Sequence, residues 1–120
     1  MSLTSYAKDG ILTVCFDDAR ILDESKLEQV GQDLIEMLNQ TTEERVILDF
    51  RNVKFMSSSM LGKLVQVHKK CAEFKVKLKL CSISPEIRQV FKITKLDKLF
   101  DIEPDEDAAR KAFLRRGWFG

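Results

Sequence analysis

Three consecutive serines, Ser57-Ser58-Ser59, are the densest group of hydroxyls in the chain, and they stand just ahead of an apolar run at helical spacing. A strand-like segment, Ile47-Leu48-Asp49-Phe50, leads through a short polar stretch to Phe55-Met56 and then to these serines. Hydroxyls at a helix N-terminus meet unpaired amides and the positive end of the helix dipole, a combination favourable to an anion. A phosphate on one of them would add about −1.5 to −2 charge without opposing the dipole. The same place could dock a partner's carboxylate, or the serines could be ordinary helix caps. Other chemistry is sparse. His68 is the one histidine. It lies ten residues beyond Ser58, about 15 Å along a helix, so no nucleophile–base pair is visible at Ser58. Cys15, Cys71 and Cys81 fall on apolar faces and read as core.

The counts agree with that reading. The 120 residues make one domain's worth of chain, with 44% hydrophobic and 32% charged residues. Twenty basic against 19 acidic residues leave a net charge of +1, without the cationic surplus that a duplex nucleic-acid binder needs. No Cys-x-x-Cys or Cys/His cluster is present, so neither a zinc site nor a cofactor is expected. Apolar runs are too short to span a membrane. The three cysteines, with no signal peptide, point to a reducing cytoplasm.

The elements that must position the serines follow from periodicity. Residues 3–8 and 10–16 read as strands joined by an Asp9-Gly10 hairpin turn. Leu27, Val30, Leu34, Ile35 and Leu38 mark one face of a helix over about 25–39. Residues 45–50 form a nearly continuous apolar strand, as in a sheet covered on both faces. Leu61, Leu64, Val65, His68, Cys71 and Ala72 predict a helix over about 58–74. Residues 75–81 alternate, with Val76, Leu78 and Leu80 inward and Lys75, Lys77 and Lys79 outward, either as a water-facing strand face or as edge protection. Ser84-Pro85 caps a third helix whose core residues are Ile87, Val90 and Phe91. Leu99–Ile102 suggests a last strand, and Pro104 starts a helix carrying Ala108, Ala109, Ala112 and Phe113. The order β-β-α-β-α-β-α-(β)-α implies an α/β fold: a mixed sheet, hairpin first and parallel strands after, with about four helices mainly on one face.

The serine region resembles the STAS domain of bacterial anti-sigma-factor antagonists, and the likeness covers about residues 3–113. That family carries an apolar strand with Asp, a Val a few residues on, an apolar pair, Asp-Ser, a small residue, Gly, and then an apolar helix start. Asp49, Val53, Phe55-Met56, Ser58, Ser59, Leu61 and Gly62 fit this register, and Asp23 matches an acidic loop that lies beside the switch serine. The resemblance implies a non-enzymatic switch that binds an anti-sigma factor, itself a serine kinase, and so frees a sigma factor. Phosphorylation at the position of Ser58, with Ser57 or Ser59 as alternatives, would release the kinase, and a phosphatase would reset the switch. The implied docking residues are Asp23, Ser57, Ser58, Ser59, Met60 and Lys63, in a cytoplasmic monomer or weak dimer. Other readings are a non-phosphorylated scaffold of a signalling assembly and a sensor of a small ligand such as a nucleotide or lipid.

Two positions depart from the family pattern. Ser57 stands where it has Asp, and Met60 where it has Gly. Met60 is then either an apolar docking contact on an exposed first turn or a core residue. The acidic group Asp101, Glu103, Asp105, Glu106 and Asp107 reads as a charge complement to a helix N-terminus, with metal binding as the alternative. Residues 114–120 form a tail with the lone tryptophan, Trp118, beyond the last expected helix, either a loose end or an aromatic anchor for a partner.

Overall fold

Asp9 and Gly10 both adopt positive φ, 58° and 76°, in the computed structural model. Two such residues in a row give the tight turn whose twist matches a β-hairpin. That turn joins β1 (Leu3–Lys8) to β2 (Ile11–Phe16) in antiparallel register. The structure describes residues 3–17, 20–21 and 24–119, with side chains at 3–17 and 27–115. After β2 come β3 (Arg20–Ile21), α1 (Glu24–Gln40), β4 (Arg45–Asp49), β5 (Phe55–Met56), α2 (Ser58–Glu73), β6 (Lys77–Cys81), α3 (Pro85–Ile93), a 3-10 turn at Leu96–Lys98, β7 (Asp101–Glu103) and α4 (Glu106–Phe119). The main sheet has the order β1-β2-β4-β6-β7, and every pair after the hairpin is parallel. The loops after β2, β4, β6 and β7 therefore leave one edge of the sheet, the usual place for a site in such folds.

Strand alternation divides the apolar residues between two layers. Leu12, Val14 and Phe16 of β2, Val46 and Leu48 of β4 and Leu80 of β6 face α1, α2 and α3, and all join one core cluster. Ile11, Ile47 and Cys81 face the other way and are closed over by Ala109 and Phe113 of α4. Coverage on both faces explains the unbroken apolar runs of β2 and β4. Three helices share one face, as expected, and the fourth seals the other.

That fourth helix changes the reading of the lysine row. Lys79 is not outward in water but 3% exposed. Its ammonium lies 3.5 Å from Asp101 and 3.6 Å from Glu103, and 5.2 Å from the centre of the Phe113 ring. Lys77 stays exposed, and Lys75, at φ 59°, belongs to the turn that ends α2. There the Val76 amide donates to Cys71 O and the Lys75 amide to Ala72 O, closing the helix carbonyls. Val90 of α3 is also exposed rather than core, leaving Ile87 and Phe91 as that helix's buried residues. The last helix runs on to Phe119 in its backbone, so residues 114–119 continue α4 instead of leaving it.

Candidate functional site

Asp49, at the end of β4, is fully buried, and its carboxylate organises the path to the serines. One oxygen accepts the Arg51 amide at 3.0 Å, and the other accepts both Arg51 Nε, at 2.8 Å, and an Arg51 terminal nitrogen. The Val53 amide donates to Phe50 O at 2.9 Å, which completes a tight turn, while Phe50 and Val53 are buried beneath it. The chain then enters β5, which pairs in parallel with β3, Arg20 opposite Phe55 and Ile21 opposite Met56. This two-stranded ribbon holds the segment before α1 against the segment before α2. Asp23, expected beside the switch serine, lies outside the described residues.

At Ser57 the backbone is extended, with φ −81° and ψ 164°, and its hydroxyl oxygen accepts the Met60 amide at 3.2 Å. Ser57 is therefore the N-cap, and the capping role considered for all three serines falls to it. Ser58 and Ser59 occupy the first turn and are exposed. That turn contains no acidic residue, unlike α3 with Glu86 and α4 with Glu106 and Asp107. The first turn of α2 thus supplies no acidic side chain of its own to the positive end of its dipole. Asp is as good an N-cap as Ser, so an Asp at position 57 could do the same structural work. Ser57→Ala is expected to destabilise the chain by about 1 kcal/mol, whereas Ser57→Asp should match or exceed wild type. Thermal denaturation of the two variants checks this.

Of the two readings of Met60, its burial fits the core residue. It is 0% exposed and belongs to the main core. The buried stripe of α2 is Met60, Leu61, Leu64, Val67 and Cys71. Its phase puts Val67, not Val65 or His68, at the centre, and Met60 falls on it one turn before Leu64. His68 is half-buried and packs edge-on against Phe100, with ring centres 5.3 Å apart. Lys63, expected in the docking surface, turns toward α1. Its ammonium is 2.9 Å from Glu28, and its stem crosses Gly31, where a Cβ would come within 3.0 Å of Lys63 Cδ. Glu28 and Gly31 were not singled out from the sequence. A glycine inside an apolar helical pattern was the available signal, since it marks close approach.

The remaining candidates have structural roles. Asp105 caps α4 by accepting the Ala108 amide at 2.8 Å. Glu106 receives Arg51 at 3.0 Å and Arg110 at 3.0 Å, and Asp107 pairs with Lys111. Arg110 continues inward to Thr13 Oγ1 at 3.2 Å and the Lys8 carbonyl at 3.3 Å. Among the described residues no His, Cys, Asp and Glu group could hold a metal ion, and no helix is long and apolar enough to cross a membrane. Burial pushes the Cys71 thiol up to about 11. Burial, then the Asp49 charge, pushes Cys81 up to about 12. The same two causes raise Cys15. Thiols held protonated at neutral pH are poor nucleophiles.

Comparison with known proteins bears on this arrangement. The model of the STAS domain family matches residues 4–109. A Bordetella bronchiseptica protein, BtrV, named as a candidate anti-sigma factor antagonist, is 29% identical over 113 residues, covering 94% of this chain and 95% of its own length. The fold is shared with an anti-sigma-factor antagonist (STAS) domain protein from Planctomyces limnophilus, at TM-score 0.80 and 23% identity over 92% of this chain and 96% of that one. It is shared too with the Bacillus cell fate determinant SpoIIAA in its phosphorylated form, at TM-score 0.67 and 19% identity over 92% and 98% of the two chains.

Proposed function

Because the chain belongs to the STAS domain family, we propose that it is an anti-sigma-factor antagonist switched by phosphorylation of Ser58. In this reading the unmodified N-terminal end of α2 docks on an anti-sigma factor that is also a serine kinase, and a sigma factor is freed in the cytoplasm. The kinase then transfers a phosphoryl group. Ser58 Oγ bonds to the γ-phosphorus of ATP, the bond to the β,γ-bridging oxygen breaks, ADP leaves, and the hydroxyl proton passes to a base on the kinase. The product puts about −1.5 to −2 charge inside the docking surface, where repulsion and desolvation separate the partners. A phosphatase restores the hydroxyl. The chain itself acts as a monomer or weak dimer and catalyses nothing.

The observation that carries this reading is the exposed Ser58 hydroxyl one residue past the cap, in a helix turn with no acid of its own. Ser57 already serves the cap, which leaves Ser58 free of that duty. Ser57 and Met60, the two departures that pointed to a non-phosphorylated scaffold, are accounted for by capping and by core packing. The test is phosphorylation by the anti-sigma kinase with ATP, read by mass spectrometry, together with kinase affinity. A single phosphate on Ser58 is expected, none on Ser58→Ala, and at least tenfold weaker kinase binding by Ser58→Asp, equivalent to about 1.4 kcal/mol. Equal labelling of Ser58→Ala and wild type would reject the site.

A further inference from the structure

Two glycines lie inside helices that face each other, and the fold explains only one of them. Gly31 of α1 makes room for Lys63, since a Cβ there would lie 3.0 Å from Lys63 Cδ. Gly62 of α2 makes room for none of the described residues. Among them a Cβ at that position would meet no atom within 4 Å, Gly62 is exposed, and its φ is not positive. A glycine in an exposed helix interior is a standing disadvantage relative to alanine. Here neither backbone conformation nor internal packing offsets it.

Gly62 is four residues after Ser58, on the same side of the helix and one turn away, where side chains lie about 5–6 Å apart. We propose that the bare surface at Gly62 is the clearance through which a serine kinase reaches the Ser58 hydroxyl on the folded helix. The proposal rests on the Ser58 reading above and adds a residue that sets how close the kinase can come. Phosphoryl transfer requires the attacking oxygen in line with the γ-phosphorus, at about 3–3.5 Å before bond formation. A serine in an extended loop can be drawn into a cleft alone. Ser58 is fixed in the first turn of α2 by the Ser57 cap, so whatever stands one turn below enters the cleft with it. A side chain at 62 would be the first to collide with the kinase. Lys63, the neighbouring long side chain, is held away from that side by Glu28, at 2.9 Å.

The test compares wild type, Gly62→Ala, Gly62→Leu, Gln66→Ala and Ser58→Ala as substrates of the anti-sigma kinase with ATP, with thermal denaturation of each. Gly62→Ala should raise Tm by about 2–4 °C through helix propensity. The same change should lower kcat/KM for phosphorylation at least tenfold, an overpacking effect at a tight contact of roughly 1.4 kcal/mol. Gly62→Leu should lower it further while staying folded. Gln66→Ala, on the exposed side one turn on, should stay within about twofold, as surface substitutions away from a contact usually do. The opposite signs of the stability and kinetic effects separate a clearance role from a structural one. Gly62→Leu phosphorylated as fast as wild type, with Ser58→Ala silent, overturns the clearance and leaves the Ser58 reading standing. A fall in Tm for Gly62→Ala also overturns it. A wild-type chain left unlabelled by the anti-sigma kinases of its own genome overturns both.

Discussion

Met60→Gly is expected to destabilise the chain by roughly 3–5 kcal/mol, although it restores the residue that the family pattern has at this position. Truncating a buried methionine to alanine removes about 2–5 kcal/mol through lost transfer energy and the cavity left behind. Met60 has the burial that warrants the figure, at 0% exposure within the main cluster. Glycine adds up to about 1 kcal/mol for its backbone freedom in a helix. Met60→Leu keeps the volume and should remain within about 1.5 kcal/mol of wild type. Urea denaturation of both variants measures the difference. A loss below about 1 kcal/mol for Met60→Gly would mean that the first turn of α2 does not depend on this side chain. The family pattern is thus not a recipe that can be restored one residue at a time.

Asp49→Ala should be nearly as severe, at roughly 2–4 kcal/mol. The carboxylate accepts the Arg51 amide and two guanidinium nitrogens, and hydrogen bonds to a charged group contribute about 1.5–3 kcal/mol each with strong non-additivity. Its removal leaves the Arg51 amide without its acceptor and frees the turn between β4 and β5. Arg51 is half exposed and can rehydrate, which keeps the loss below that for a fully buried pair. Asp49→Asn retains an acceptor for the amide and should lose about half as much. Because Ser57 is reached through this turn, the amide resonances of residues 57–60 should also shift in Asp49→Ala. Unchanged resonances together with a loss under about 1 kcal/mol would show that the turn is held by other contacts.

What could be read from the sequence was mostly what local rules govern. The Asp9-Gly10 turn and the Ser84-Pro85 cap are decided within four residues, and both formed as expected. The serines announced a helix start because a helix start needs an acceptor at its cap, and Ser57 supplies it. The phase of α2 was less legible. Met60, Leu61, Leu64, Val65, Val67 and Cys71 spread apolar character around much of the helix, so two stripes fit the spacing and only packing chose between them. Lys79 shows the same limit on a strand. Its alternation correctly sends it to the face opposite Leu78 and Leu80, but whether that face meets water depends on α4. Among the described residues that helix contributes Ala109 and Phe113 to its core cluster, too weak a pattern to reveal that it covers a sheet. The two-residue strands β3 and β5 are shorter than any period can report. Lys63 forms a cross-helix tie because Gly31, 32 positions earlier, leaves its stem a path, a pairing that exists only once α1 lies beside α2.

The position of α4 in the chain has a consequence for biosynthesis. Ile11 and Ile47 are made first, whereas Ala109 and Phe113, which close the face they occupy, follow more than 60 residues later. A nascent chain can assemble the hairpin, the parallel strands and the first three helices while this face is still open. Until translation has passed Phe113, it presents an uncovered apolar sheet surface, the kind that chaperones hold and that sticks to other chains. A message cut short before α4 would therefore yield an aggregation-prone fragment rather than a smaller folded domain.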